Sequence, residues 1–165
     1  NFITSDPVNL GLSKYNCIYL PIPVDKNIEN LKCYNNKNPI KDLFFTMSHG
    51  VNKGVLKRNK IDVREPFVKE LISKNQDIIF DIYGYKNNQP IWSNDFYDAL
   101  YKSKMALNLS RINNVKYYSS NRIASLVGNG ILTFVDINTK LNDFFSNDEV
   151  VFYKNINDLS KKLKY

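Results

Sequence analysis

The stretch KYYSSNRIASLVGNGILTFVD, from Lys116 to Asp136, decides the fold of this chain. Its middle predicts a helix, because Ile123, Leu126 and Val127 recur at helical spacing and would face one side. The apolar run Ile131–Val135 that follows is typical of a strand covered on both faces. A helix that leads directly into such a strand is one unit of a parallel α/β sheet.

The two ends of this predicted helix carry turn and capping residues. Ser119 or Ser120 would cap its start, because a hydroxyl oxygen accepts from the first unpaired backbone N–H groups. Gly128 and Gly130 would end it, since glycine readily adopts positive φ. Unpaired amides, the positive end of the helix dipole and Arg122 would together favour a bound phosphate at this start. An ordinary capped helix with a solvated arginine is the alternative.

The rest of the chain repeats the alternation of strand and helix. The further predicted strands are Cys17–Leu20, Leu43–Met47, Ile78–Tyr83, Met105–Leu109 and Val150–Tyr153. The further predicted helices are Val63–Lys74, Asp95–Ser103, Leu141–Phe145 and Ile156–Leu163. Short loops between alternating elements favour parallel β-α-β units, so the expected class is α/β, with a parallel sheet flanked by helices.

Apolar positions within two of these helices indicate which side faces the core. In the helix after the basic segment Val51–Asp62, the face that carries Phe67 and Leu71 is expected to be buried. In the helix that Ser93 or Asn94 would cap, the candidate core residues are Phe96, Leu100 and Tyr101.

Polar groups follow several of the predicted strands. Parallel α/β sheets bind ligands just beyond the carboxyl ends of their strands, so these residues are candidate ligand contacts. They are Ser48, His49, Gly50, Gly84, Tyr85, Ser110, Arg111 and Asp136. Arg58 and Arg64 flank the start of the helix after the basic segment, where either could reach a diphosphate.

Composition limits the class of protein. The chain has 165 residues, of which 43% are hydrophobic and 24% charged, a profile of one globular domain. The formal net charge of +7 favours an anionic partner: a nucleotide phosphate, a nucleic acid or an acidic membrane surface. Cys17 and Cys33 lack metal-site spacing, so they are expected to be thiols in a reducing compartment. The sequence begins without Met, and we expect it to be part of a longer protein.

Several common catalytic and binding motifs are absent from the sequence. It contains neither GxGxxG nor a GxxxxGK[ST] loop, and no Gly-x-Ser-x-Gly. No cluster of His, Cys and Asp has the spacing of metal ligands, and no apolar run is long enough to span a membrane. Eleven tyrosines could stack on bases, which keeps nucleic-acid binding as an alternative.

Three segments together resemble the carboxyl-terminal half of group 1 glycosyltransferases of GT-B architecture, in the branch of spore-maturation proteins. They are MALNLSR, then YYSSNRIASLVGNGILTFVD, then LNDFF with EVVFYKNINDL. The earlier YLPIPVD is similar to the crossing between the two domains of that fold. The resemblance implies a Rossmann-like half of a GT-B enzyme, with residues 1–24 ending an amino-terminal domain and residues 25–165 binding the nucleotide-sugar donor.

The resemblance also implies where the donor lies. Its diphosphate would contact Ser119, Ser120 and Arg122 beside Tyr118, with Arg111 nearby. Gly50 would permit close approach after the first strand. Gly84 and Tyr85 would line the side of the nucleobase or ribose. Enzymes of this architecture do not usually need a metal, and no cofactor is expected.

The chain departs from the family at two positions. Many relatives carry two glutamates around the central helix, and these map to Tyr117 and Ser125. The usual carboxylate contacts to the ribose and the sugar are therefore missing. Either the donor is held differently or the domain has lost activity.

The sequence thus predicts a cytoplasmic glycosyltransferase domain. It would bind a nucleotide-diphosphate sugar and transfer the sugar to a saccharide or similar hydroxyl held by a missing amino-terminal domain. A domain of the same fold that binds a regulatory nucleotide or a protein without catalysis is the first alternative. A nucleic-acid-binding module is the second, and peripheral contact with a membrane stays open.

Overall fold

The computed structural model describes residues 2–3, 8, 11–48, 56–57, 60–61, 63–111, 115–118 and 120–164. The strands are β1 (Phe2–Ile3), β2 (Ile18–Tyr19), β3 (Lys41–Thr46), β4 (Leu56–Lys57), β5 (Lys60–Ile61), β6 (Phe80–Tyr83), β7 (Ser103–Asn108), β8 (Leu132–Asp136) and β9 (Val151–Tyr153). The α-helices are α1 (Arg64–Lys74), α2 (Ser93–Tyr101), α3 (Arg122–Gly128) and α4 (Ile156–Lys162). Short 3-10 helices cover Cys33–Asn35, Ile137–Thr139 and Leu141–Asp143.

The centre of the fold is a five-stranded sheet in the order β6, β3, β7, β8, β9. All four neighbouring pairs are parallel. The predicted α/β class with a parallel sheet flanked by helices is therefore confirmed, and the arrangement is Rossmann-like. Two smaller pairs stand apart, β1 with β2 in parallel and β4 with β5 antiparallel.

Alternation along the strands builds a core on each face of the sheet. In β3, Leu43 and Phe45 point to one side and Phe44 to the other, and all three are buried. The first side is covered by α1 and α4, through residues such as Leu71 and Leu159. The other side is covered by α2 and α3, so a strand sequence that is apolar at consecutive positions follows from burial on both faces.

The strand order fixes where a ligand can bind. From β3 the chain moves outward to β6 and then crosses back to β7 on the other side of β3. At such a reversal the loops leave the carboxyl ends of adjacent strands in opposite directions, and a crevice opens between them. The crevice of this sheet lies beyond the ends of β3 and β7.

Most of the predicted helices agree with the structure within a residue or two. In α1, Leu71 is buried and Phe67 packs against the core, as predicted. In α2, Leu100 is buried but Tyr101 is exposed, and Ala99 takes the core position instead. The predicted cap of α2 is also wrong: the N-cap is Trp92, and its side chain makes no capping hydrogen bond.

Other boundaries differ from the prediction for local reasons. The strand predicted over Cys17–Leu20 contains only Ile18 and Tyr19, because its only described partner is the two-residue β1. The predicted helix Leu141–Phe145 is a single 3-10 turn. The basic segment Val51–Asp62, interpreted as a loop, contains the β4–β5 pair.

The turn after α3 binds the segment around Leu31 and Cys33 through hydrogen bonds to Asn129. Asn129 is fully buried, and its side chain accepts from the N–H of Leu31 at 3.0 Å and donates to the Ser125 carbonyl at 2.7 Å. Its backbone carbonyl accepts from the N–H of Cys33 at 2.8 Å. Gly130 follows with φ +69°, as the predicted turn requires, and lies against the Tyr34 ring.

No helix in the described ranges combines the length and the apolar character needed to cross a bilayer.

Replacing Asn129 with alanine is expected to lower the free energy of unfolding by about 2 kcal/mol, because buried partners lose their hydrogen bonds. Asn30→Ala is the control, since the exposed Asn30 side chain makes one hydrogen bond, to the Asn27 carbonyl. The control should change stability by less than about 0.5 kcal/mol. Urea denaturation followed by circular dichroism measures the stability of both variants. Equal urea midpoints for the two variants would show that the hydrogen bonds of Asn129 do not stabilise the fold.

Replacing Gly130 with alanine tests the close approach of Tyr34. A Cβ at this position would lie 2.6 Å from Cδ1 of the Tyr34 ring, whereas a Cβ at Gly11, with nearly the same φ of +68°, meets no described atom within 4 Å. Both substitutions carry a left-handed backbone penalty of about 1 kcal/mol. Gly130→Ala should therefore lower the melting temperature clearly more than Gly11→Ala, and equal losses would show that the Tyr34 contact has no effect.

Candidate functional site

A cavity of about 860 Å³ opens at the crevice that the strand order predicts. Thr46, Met47 and Ser48 line it at the end of β3, and Ser110 and Arg111 line it after β7. The start of α3 and the loop before α2 form the remaining walls. The cavity is thus built by the carboxyl ends of the two strands between which the chain reverses.

Three arginines face this cavity from three different elements. Arg64 is the first residue of α1 and only 5% exposed, Arg111 follows β7 and is half-buried, and Arg122 is the first residue of α3. None of the described residues that line the cavity is acidic. The site is therefore strongly cationic without a carboxylate in its own lining, which favours an anionic ligand.

Arg122 is fixed by two contacts beneath the cavity. Its Nη1 donates to the Leu109 carbonyl at 3.0 Å, and its guanidinium carbon lies 5.0 Å from the centroid of the Phe45 ring. The first contact holds the end of β7, and the second places the cation over an aromatic face, an attractive arrangement. The Arg122 guanidinium is consequently positioned before any ligand binds.

The electrostatic surroundings of Arg122 disfavour its charge. Burial of the guanidinium, and then the like charge of Arg64, lower its pKa to about 10, while Tyr118 acts in the opposite direction. Among the described residues, no carboxylate forms an ion pair with Arg122. The group still carries its charge at neutral pH, and a bound anion would relieve both unfavourable effects.

The start of α3 differs from the sequence prediction. The N-cap is Asn121 rather than Ser119 or Ser120, and its side chain makes no capping hydrogen bond. The N–H groups of Ile123 and Ala124 already donate to the carbonyls of Ser120 and Asn121, both at 3.1 Å. Those two amides are therefore engaged, and the positive charge that faces the cavity comes mainly from arginine side chains.

Hydroxyl groups lie among the arginines. Ser48 and Ser120 line the cavity, and so does Ser110, which is only 4% exposed. The Oγ of Ser110 has no hydrogen-bond partner within the described part of the chain. Such a group can donate to a ligand oxygen at little cost, because it gives up no protein contact.

Another part of the cavity lining is apolar and mostly aromatic. Ile91, Trp92, Phe96 and Tyr97 come from the loop before α2 and from the helix itself, and Trp92 is 66% exposed at the rim. Trp92 is not among the site residues that the sequence predicted. A tryptophan directly before a predicted helix, in a segment that is mostly polar, was the available signal.

The structure brings together part of the predicted donor site. Among the candidate ligand contacts named from the sequence, seven line the cavity: Ser48, Arg64, Ser110, Arg111, Tyr118, Ser120 and Arg122. Gly50, Arg58 and Ser119 lie outside the described residues, as does His49.

Gly84 and Tyr85 are not among the described residues of the cavity lining. The N–H of Gly84, at φ +74°, donates to the Asn88 carbonyl, and Tyr85 packs against the core on the α1 side. Asp136 is likewise absent from that lining, and its carboxylate accepts from Asn138.

The two positions to which the resemblance assigns glutamates have different surroundings in the structure. Ser125 lines the cavity. Tyr117 does not: its hydroxyl donates to Asp143 at 2.8 Å, and its ring packs against those of Tyr19 and Phe144. Ser125 therefore changes the chemistry of the cavity lining, whereas Tyr117 belongs to an aromatic cluster outside that lining.

Comparison with known protein families identifies the family of the chain. Residues 58–165, about two thirds of the chain, match the model of a family described as glycosyl transferase-like. The match includes all three arginines of the cavity. No curated protein and no solved structure matches the chain. Because the family model covers well over half of the sequence, the chain belongs to the glycosyl transferase-like family.

Proposed function

We propose that this domain binds a nucleotide-diphosphate sugar in the arginine-lined cavity and takes part in transfer of the sugar to a saccharide-type acceptor. The observation that carries the proposal is the convergence of Arg64, Arg111 and Arg122 on a cavity whose described lining has no acidic residue. Membership of the glycosyl transferase-like family supports the reaction class. The proposal adds the ligand and its location.

The arrangement suits a diphosphate leaving group. When the bond between the sugar and the diphosphate breaks, negative charge accumulates on the departing phosphoryl oxygen. Guanidinium groups bind phosphoryl oxygens through directed, charge-assisted hydrogen bonds, and positioned cations stabilise charge that develops in a transition state. Arg122 is already fixed against Leu109 and Phe45, so it needs little reorganisation to do this.

The size and shape of the cavity support a ligand of nucleotide-sugar dimensions. Pockets for small molecules and cofactors span about 300–1,000 Å³, and 860 Å³ lies in that range. The lining combines cationic and aromatic side chains, which suits a molecule that carries both a diphosphate and a ring system. A nucleic acid strand would instead favour an extended basic surface, so the concave site argues against that alternative.

We further propose that the domain is the donor-binding half of a GT-B enzyme of the spore-maturation branch, with residues 1–24 leading from an acceptor-binding domain. Ile22 of the YLPIPVD segment lines the cavity, which agrees with a crossing that borders the cleft between two such domains. A cytoplasmic location and a role in polysaccharide synthesis complete the proposal. Gly50, Arg58 and Ser119 remain predicted diphosphate contacts, and Gly84 and Tyr85 remain predicted contacts near the nucleobase.

The serine at position 125 favours a second candidate function. It lines the cavity where the resemblance leads us to expect a carboxylate that grips the donor. A domain without that carboxylate could bind a nucleotide for regulation and transfer nothing. A transfer assay with the longer protein separates the two functions, since nucleotide binding without turnover would favour the regulatory one.

The first experiment is a thermal-shift screen of this chain with uridine, guanosine and cytidine diphosphates and with their sugars. A ligand that binds only the folded state raises the melting temperature according to its affinity. Stabilisation by one diphosphate and its sugars would identify the base. Absence of any shift at millimolar ligand would contradict the proposal.

Replacing Arg111 with alanine is expected to weaken binding of the selected diphosphate by about tenfold to a hundredfold, the value of one charge-assisted contact. Arg111 is half-buried and lies outside every helix and strand, so folding should survive. Isothermal titration calorimetry measures the dissociation constant.

The matched control for Arg111→Ala is Lys69→Ala. Lys69 is exposed on α1 outside the cavity lining, and its removal changes the net charge by the same amount. Equal losses of affinity in both variants would show a general charge effect and would remove the argument for a specific site.

A further inference from the structure

The hydroxyl of Ser110 is a buried polar group without a structural role that the fold explains. Ser110 follows β7 directly, is 4% exposed and lines the cavity. Its Oγ has no hydrogen-bond partner within the described ranges. Buried hydroxyls are nearly always paired, because leaving one unpaired costs about 1–3 kcal/mol.

The position of this hydroxyl is set by its neighbours on both sides. The carbonyl of Leu109, one residue earlier, accepts from Nη1 of Arg122 at 3.0 Å. The next residue, Arg111, also lines the cavity. Ser110 therefore lies between a residue that Arg122 holds and Arg111, which follows it in the chain.

The arginine side chains that line the cavity with Ser110 are donors and not acceptors. A guanidinium group carries five N–H donors and no acceptor, so neither Arg111 nor Arg122 can receive the proton of a serine hydroxyl through its side chain. An oxygen of a bound phosphate can receive it. The same oxygen would be attracted by the surrounding cations, so hydroxyl and arginines select the same ligand chemistry.

We infer that Ser110 is a ligand-binding residue whose hydroxyl donates directly to a phosphoryl oxygen of the anion that the three arginines hold. The inference rests on the proposed function, because it requires that anion. It gives Ser110 a defined role in the site: its hydroxyl is a neutral hydrogen-bond donor to the phosphate, beside the charged arginine donors.

This role has a consequence that an ordinary structural serine would not have. In the ligand-free protein the unpaired hydroxyl lowers stability, and in the complex it contributes to binding. Removing it should therefore act in opposite directions on the two properties: Ser110→Ala should keep or raise the stability of the free protein, and should weaken phosphate binding.

Tyr153 provides a matched control. It is 1% exposed, and its hydroxyl also lacks a hydrogen-bond partner within the described residues. It lies in the core under α1, near Asp136, and is not among the described residues of the cavity lining. Tyr153→Phe thus removes an equally buried, unpaired hydroxyl at a place where no anion is proposed to bind.

The test combines calorimetry with pyrophosphate and urea denaturation without ligand, for the wild-type chain, Ser110→Ala, Ser110→Cys and Tyr153→Phe. Ser110→Ala should bind pyrophosphate about tenfold more weakly, and its urea midpoint should equal or exceed that of the wild type. Ser110→Cys keeps the shape and a weak S–H donor, so its affinity should fall between the two. Tyr153→Phe should bind as the wild type does.

Three results would overturn the inference. Wild-type affinity in Ser110→Ala would show that the hydroxyl does not touch the anion. A lowered urea midpoint in the same variant would show that the hydroxyl has a structural role. Failure of the wild-type chain to bind pyrophosphate would overturn the proposed function as well, whereas the first two results leave that function standing.

Discussion

The cavity depends on one buried positive charge, the guanidinium of Arg122. The Arg122 guanidinium lies under the carboxyl edge of the sheet, tied to the Leu109 carbonyl and to the Phe45 ring, with Arg64 close enough to lower its pKa. Taking a cation out of water is costly unless an opposite charge compensates. No described carboxylate supplies that charge, and the surrounding groups are arranged so that a ligand can.

The topology of the sheet explains where the site lies. A parallel sheet collects the carboxyl ends of its strands at one edge, and the reversal of direction between β3 and β7 leaves a crevice there. Residues far apart in the sequence, such as Arg64 and Arg122, then meet across that crevice. The strands provide the rigid part, and the loops and helix starts provide the charged side chains.

Much of the fold could be predicted from the sequence, because burial on both faces gives a strand such as β8 a continuous apolar run with little ambiguity. The position of Arg111 at a strand end also followed from fold rules. Boundaries and caps were less predictable. Ser120 and Asn121 have similar capping tendencies, and which of them starts α3 depends on the turn that Ile123 and Ala124 form. The sequence named Arg64 as a residue that could reach a diphosphate, but its approach to Arg122, 58 residues later, is not encoded in a local pattern.

The hydrogen bonds that join Asn129 to Leu31 and Cys33 have a consequence for how the chain folds. The hydrogen bond between its side chain and the Leu31 N–H joins residues 98 positions apart. During synthesis on the ribosome, the segment around Leu31 emerges long before its anchor does. Contacts this distant in sequence close slowly, since the intervening loop must first be ordered. The early segment therefore cannot dock until Asn129 has been synthesised, by which point β3, β6 and β7 of the central sheet have already been made.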